Sequence, residues 1–500
     1  MGHKTRAGLA VIGAALVLGG LGDLLLRATP WGLNFPLWIS ALVISAAGLS
    51  FLQNRRPAGE GRWLLPVAVL FAAGVAFRDS PAVVALDVAM AVVALSLAGL
   101  RARYGTLRRS GVSDYVVGVA YALGMTLAGF IPAAVRDVRW REVVPGDRSK
   151  QVLAVARGVL IAAPLLLVFG ALLAAADAVF ESLILDLFDL DPDLLGHLLL
   201  TAFVAWVSAG LLTFGLLGAE RADLAPKRPD FLSLGIVEVG VVLGLLDALF
   251  LSFVGVQAGY LFGGADRVVE LAGLTYAEYA RRGFFELVAV TALVIPVLLL
   301  ARWLVRPETR AHERILRFLS GAMVALLSVV VVSALYRMYL YQQEFGLTVA
   351  RICASAFMGW LAFVLAWFVL TILRDRPARF AFGSLVAAFA TALLLNVFSP
   401  DALAARVNIE RLEAGERFDP YYLTLLSADA APVLAASLQE IGDTRPYQSF
   451  VGAATGEVGG GKGPTLGRVL EKKWNRESAD WRSWNLSRAR AEDLADEYER

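Results

Sequence analysis

Long apolar stretches dominate this chain, and the connections between them alternate between arginine-rich and arginine-poor. Twelve segments have the length and composition of membrane spans: 7–26, 36–52, 63–77, 81–100, 114–135, 152–176, 194–217, 232–262, 283–304, 315–340, 348–373 and 380–397. About 20 mostly apolar residues cross a hydrocarbon layer about 30 Å thick. Inside that layer the backbone must satisfy its own hydrogen bonds, so helices are predicted throughout. The segments 36–52 and 63–77 are short, and Trp38 and Trp63 suit the headgroup interface.

Excess Lys and Arg marks cytoplasmic connections. Segments 53–62, 101–113, 136–151, 218–231, 305–314 and 374–379 are basic, whereas 177–193 holds six acidic residues and no Lys or Arg. Residues 341–347 also lack basic side chains. The stretch 114–135 is the exception, because basic segments flank it on both sides. Gly118, Gly124, Gly129 and Pro132 favour a break, so the preferred reading is a re-entrant or interfacial element within a bundle of eleven true spans. The alternative is an ordinary twelfth span that violates the charge rule. With eleven spans the N-terminus is cytoplasmic and the C-terminal tail lies outside.

The expected fold is therefore an all-α polytopic transmembrane helix bundle of about eleven or twelve spans with a short helical extramembrane tail. Its parts would be a four-span segment over 1–105, a main bundle over 106–397, and a tail over 398–500 with a glycine-rich linker at 452–464. In the tail, 401–414 and 427–441 show helical spacing, the second introduced by Ser427 and Asp429, and Trp474, Trp481 and Trp484 punctuate the charged end. Those tryptophans suit either the headgroup belt or packing within the tail. His3, Lys4 and Arg6 precede the first apolar run, but no small-x-small cleavage site follows Leu26, so an uncleaved first helix is predicted.

Composition agrees with a membrane location and removes several kinds of chemistry. Of 500 residues 58% are apolar and 18% charged, against about 25% charged in ordinary globular proteins. Mean hydropathy is +0.64. No broad basic face suggests nucleic acid. Cys353 is the single cysteine and His3, His197 and His312 lie far apart, so no metal-ligand motif forms and no cofactor is expected. Gly456 to Lys462 approaches a phosphate loop, but Gly463 replaces the magnesium-binding hydroxyl and no strand precedes it. No catalytic set emerges.

Ionisable groups within spans are costly and become the first places to look for function. Asp247 lies deepest, on a stripe with Gly240, Gly244, Leu251, Gly255 and Gly259 that would let another helix approach closely, while Glu238 faces the opposite way. Asp23, Asp87, Asp177, Glu286, Arg337 and Arg351 fall toward the outer ends. They either line an outward pocket or form helix-to-helix ion pairs, and ion pairing is the preferred reading. Cys353 and His197 read as structural.

Two runs, Arg157–Phe180 and Tyr336–Arg351, resemble signatures of an uncharacterised bacterial membrane-protein family. That family is catalogued as a domain of unknown function, number forty-one seventy-three, with a close sister family. The tail elements around Asn408 and over Asp480–Arg490 fit the same resemblance, which covers about 110 to the end. It implies a bacterial inner-membrane protein and singles out Asp177, Arg337, Gly346, Thr348, Arg351, Trp481, Trp484 and Asn485. Gly346 and Thr348 would make a tight turn into a helix whose first turn holds Arg351, with Asp177 its expected partner. Two functions compete: a membrane scaffold or sensor offering its tail to an envelope protein, and a transporter or lipid-handling protein with a site near Asp247 or at the outer end.

Overall fold

The computed structural model describes residues 2–53, 59–100, 106–142, 192–217, 234–261, 284–305, 309–416, 420–441, 474 and 480–499, with isolated positions between 155 and 177. The expected span 152–176 and the linker 452–464 therefore lie almost wholly outside the described residues. The fold is all-α. Its helices are α1 His3–Leu26, α2 Asn34–Leu52, α3 Leu64–Phe77, α4 Pro81–Leu100, α5 Val112–Ala128, α6 Pro192–Leu217, α7 Ile236–Leu261 and α8 Phe284–Leu304. They continue with α9 Arg310–Phe345, α10 Val349–Thr371 and α11 Phe380–Phe398, then the tail helices α12 Pro400–Glu413, α13 Pro420–Leu425, α14 Ala431–Ile441 and α15 Leu486–Glu499.

Among the described residues ten helices are long and apolar enough to cross a membrane, and each falls on one of the expected spans. The chain is a multi-pass membrane protein. Several serine and threonine hydroxyls inside the spans bond to their own helix, as Ser96 does to Val92 O and Thr291 to Leu287 O, so these need no partner from lipid. Helix α9, at 36 residues, is about 54 Å long and outreaches a hydrocarbon layer of about 30 Å. Its first turns carry Arg310, His312, Glu313 and Arg314, and its last carries Gln342, Gln343 and Glu344.

Successive helices alternate in direction, and their connections gather at two ends. At one end Arg302, beyond the middle of α8, and Arg317, early in α9, both bond Asp375 after α10, at 3.0 and 2.5 Å. There too the Arg108 N–H donates to Glu60. All the described arginine-rich connections meet at this basic end. The opposite end brings Arg27 to Asp193, Arg78 to Val397 O, and the whole described tail. The N-terminus and the tail thus lie at opposite ends of the bundle.

The stretch after α4 does not cross. Helix α5 starts at the basic end, where the Tyr115 hydroxyl donates to Leu107 O, and has only 17 residues. It stops at Gly129, whose φ of +54° is a conformation that suits glycine. The Trp206 indole lies against Gly129 and donates to Leu127 O at 2.9 Å, so a Cβ at 129 would collide with the ring. Phe130 is buried against Ala15, Ala205 and Ala209, halfway along α1 and α6. The chain then turns back. Arg139 N–H donates to the Thr5 hydroxyl, and the Glu142 carboxylate accepts from Gly2 N–H and the same hydroxyl, all at the basic end. Those bonds, the one from Gly2 foremost, hold the Glu142 pKa below the usual carboxylate range. The segment enters and leaves by one end, which explains why basic residues flank both its sides.

Two sequence expectations change. Trp38 is not at the headgroup interface; it is buried between helices and its indole donates to Leu18 O, whereas Trp63 is exposed with Arg62 over its ring. The glycine stripe of α7 does not seat a close helix among the described residues, since a Cβ at Gly244 or Gly255 would meet nothing within 4 Å. The packing of α7 runs instead through Val239 and Leu243, against the side of α9.

Candidate functional site

Lipid tails are as apolar as leucine, so membrane helices are held by close packing and hydrogen bonds more than by the hydrophobic effect. The tail supplies many such bonds at the end it covers. Asn485 is buried, and its amide donates to Val75 O and Arg78 O at 2.9 Å each, closing the C-terminus of α3. Its Oδ1 accepts from Ser487 N–H and Arg488 N–H, which makes it the N-cap of α15. The Ser487 hydroxyl donates to Phe77 O, and Arg482 donates to Leu24 O near the end of α1. Arg482 is fixed by Asp480, whose carboxyl is held below its ordinary pKa by that guanidinium.

Helix starts are closed as well. Asp429 does not serve only its own helix: its two oxygens accept from Asp79 N–H and Ser80 N–H at 3.1 Å, at the head of α4. Four orphan N–H groups and a positive dipole end make that a favourable place for a carboxylate. Burial pushes the Asp429 pKa up, opposed by hydrogen bonds from Ser487 and the Asp79 backbone. The Asp79 carboxylate returns a bond to Ala428 N–H.

The turn between α9 and α10 is closed from two sides. Gly346 has φ +72°, and a Cβ there would lie 2.5 Å from Asn408 Oδ1. Asn408 grips the turn with both ends of its amide, accepting from Leu347 N–H at 2.8 Å and donating to Leu347 O at 2.7 Å. The Thr348 hydroxyl caps α10 by accepting from Arg351 N–H. Arg351 does not pair with Asp177. Its guanidinium donates to Phe345 O and Gly346 O and lies 4.1 Å from the centre of the Tyr341 ring. Arg411 donates to Gln343 O and Glu344 O. Two arginines on four carbonyls at a helix C-terminus complement its dipole.

Of the other outer-end charges, Asp23 pairs with His197 at 2.6 Å, and nearby Arg27 pairs with Asp193. Asp87 differs. It is fully buried in α4, accepts from Asn396 Nδ2 at 2.7 Å, and its second oxygen has no partner among the described residues. A cavity of about 260 Å³ opens beside it, lined by Gly74, Arg78, Asn396, Ser487 and Arg490. A Cβ on Gly74 would strike the Asp87 carboxylate. Asp247 lies apart in the middle of α7, half-buried, with neither carboxylate oxygen bonded among the described residues. Arg337 is half-buried on α9, and Asp177 is exposed, its N–H bonded to Leu173 O. Trp481 and Trp484 are 60% and 43% exposed at the edge of the docked tail, where Trp484 O accepts from Leu33 N–H at 2.8 Å.

A larger cavity lies elsewhere. A groove of about 1440 Å³ follows the line between α10 and α11, reaching from Arg108, Arg109, Arg376 and Arg379 at the basic end to Phe398 and Leu403 at the tail end. Among the described residues no three His, Cys, Asp or Glu side chains converge in a set able to hold a metal ion.

Sequence reading singled out Asn485, Gly346, Thr348 and Arg351, passed over Arg411 and Arg482 within the tail elements around Asn408 and over Asp480–Arg490, and missed Asn396 and Gly74. An asparagine near the end of an apolar run was the signal for Asn396; no local signal marked Gly74.

The bundle, its re-entrant arm and its docked tail define a polytopic helical membrane protein. The profile of a family described as domain of unknown function (DUF4153) matches residues 65–437, more than half of the chain, and the chain belongs to that family. The family number differs from the one the motifs suggested, and the match ends before the Asp480–Arg490 element. Comparison with curated proteins and with solved structures yields no match.

Proposed function

We propose that this chain is a scaffold or sensor of a bacterial inner membrane, with its N-terminus and arginine-rich end in the cytoplasm and its tail outside. The arginine asymmetry between the two ends supports that orientation. One observation carries the scaffold reading: the tail bonds to helix ends from both halves of the chain, α1, α3 and α4 on one side and α9 on the other. A partner that pulls on the tail therefore acts on helices that begin far apart in sequence. Exposed Trp481 and Trp484 give such a partner in the envelope an aromatic surface. The alternative, a transporter or lipid-handling protein, draws on the Asp87 cavity and the groove more than on Asp247.

Cysteine labelling in a Cys353→Ser background tests the orientation. Asp493→Cys should react in intact cells and Arg139→Cys only after permeabilisation; the reverse pattern would end the proposal. A host defect from Asn485→Ala with the bundle still inserted, and none from Asp87→Asn or Asp247→Asn, supports the scaffold. The converse supports transport.

A further inference from the structure

The groove between α10 and α11 has a chemistry that its size alone does not convey. Small-molecule pockets hold about 300–1,000 Å³, and this one, at about 1440 Å³, is larger and runs the length of α11, about 28 Å. Its walls are apolar. Trp360 donates to Ser384 O and Trp367 to Arg379 O, so both indoles spend their only donor on backbone carbonyls and line the groove as apolar surface, Trp367 stacked on Phe363. Gly383 allows this, because a Cβ there would strike the Trp367 ring. Gly359 leaves the floor open, with nothing within 4 Å of a Cβ built on it.

One end is strongly cationic. Arg108, Arg109, Arg376 and Arg379 line it, all four exposed and none bonded through its guanidinium to a carboxylate among the described residues. Nearby Arg302 and Arg317 share the Asp375 carboxylate, one oxygen each. Among the described residues that end of the protein thus holds both paired and unpaired arginines, and four of the unpaired ones line the groove. Arg108 is steered over the Phe382 ring, 5.8 Å from its centre, at the mouth.

We infer that this groove binds an anionic phospholipid, its acyl chains along the aromatic wall and its phosphate among Arg108, Arg109, Arg376 and Arg379. An apolar trough ending in uncompensated guanidinium groups matches a molecule that is apolar along its length and negative at one end. A transmembrane helix from another protein would fill the trough but would have to bring several carboxylates to one end. A phosphodiester carries its charge there by construction. The site takes only Leu403 from the tail helices and does not rest on the scaffold reading.

Native mass spectrometry of the full chain in detergent, with phosphatidylglycerol or phosphatidylcholine of identical acyl chains, tests the assignment. Each basic side chain near a membrane surface strengthens attraction to anionic lipid severalfold, so phosphatidylglycerol should be retained at roughly tenfold lower concentration or better. Replacing Arg108, Arg109, Arg376 and Arg379 together by Gln should abolish that preference, while Arg374→Gln, at the same end but outside the groove, keeps it. Gly359→Leu, which adds a good helix former on an open face, should weaken both lipids about tenfold without disturbing the arginines. Equal retention of the two lipids by the wild type would overturn the inference. So would displacement of the bound lipid by inorganic phosphate alone, or unchanged preference in the four-arginine variant.

Discussion

The side-chain amide of Asn485 donates a 2.9 Å hydrogen bond to the carbonyl of Val75, a residue 410 positions earlier in the chain. The same nitrogen reaches Arg78 O, and the same side chain caps α15. Asn485→Ala removes all three functions. A lost N-cap costs about 0.5–2 kcal/mol and a buried carbonyl left without a donor about 1–3 kcal/mol. The variant should lose roughly 2–4 kcal/mol, visible as a lower Tm and as faster proteolysis of the tail. Asn485→Asp keeps the cap but sets a carboxylate oxygen against two carbonyl oxygens in a buried site, so it should destabilise at least as much.

Gly74 is fixed by its neighbour. A methyl group there meets the Asp87 carboxylate inside a packed interface. Gly74→Ala should destabilise by about 1–3 kcal/mol through overpacking, and adding Asp87→Ala should return part of that loss. Thermal unfolding of the single and double variants in detergent measures the coupling; simple additivity would contradict the contact.

At the re-entrant arm, Gly129→Ala combines a positive φ with a clash against Trp206. A loss of at least about 1–2 kcal/mol is expected. Topology gives a separate test. Cysteines placed at Arg109 and Arg139 should be labelled from one side of the membrane, and a cysteine at Asp493 from the other. Opposite labelling of 109 and 139 would make the segment a crossing.

The arm also carries a pH dependence. The Glu142 pKa is lowered in the folded protein, so its contribution is present above the pKa of the unfolded chain, about 4.3, and disappears as pH falls through the folded value. Hydrogen-exchange protection of residues 139–142, corrected for the intrinsic rate, should be high at neutral pH and fall as pH drops below the unfolded-chain value. Glu142→Gln should flatten that profile.

Apolar length and arginine asymmetry made the crossings legible, because both are properties of continuous segments. Residues that work by distance along the chain were not. The partner of Arg351 escaped notice because Gly346 turns the chain so that the carbonyls of α9, and no carboxylate, face the guanidinium. Asp429 looked like a cap for its own helix, yet it closes α4, some 350 residues away. The glycine stripe around Asp247 carried the same pattern as a helix-packing face, but α7 uses its Val239 and Leu243 side for that purpose. Gly129 and its neighbours were informative because a positive-φ glycine is a local event.

The carbonyls of Leu24, Val75, Phe77 and Arg78 are synthesised more than 400 residues before their donors at Arg482, Asn485 and Ser487. The hairpins that carry them therefore wait in the bilayer, with open ends, until the tail has been made. Assembly is closed like a loop of string, by tying the tail back to helices made hundreds of residues earlier.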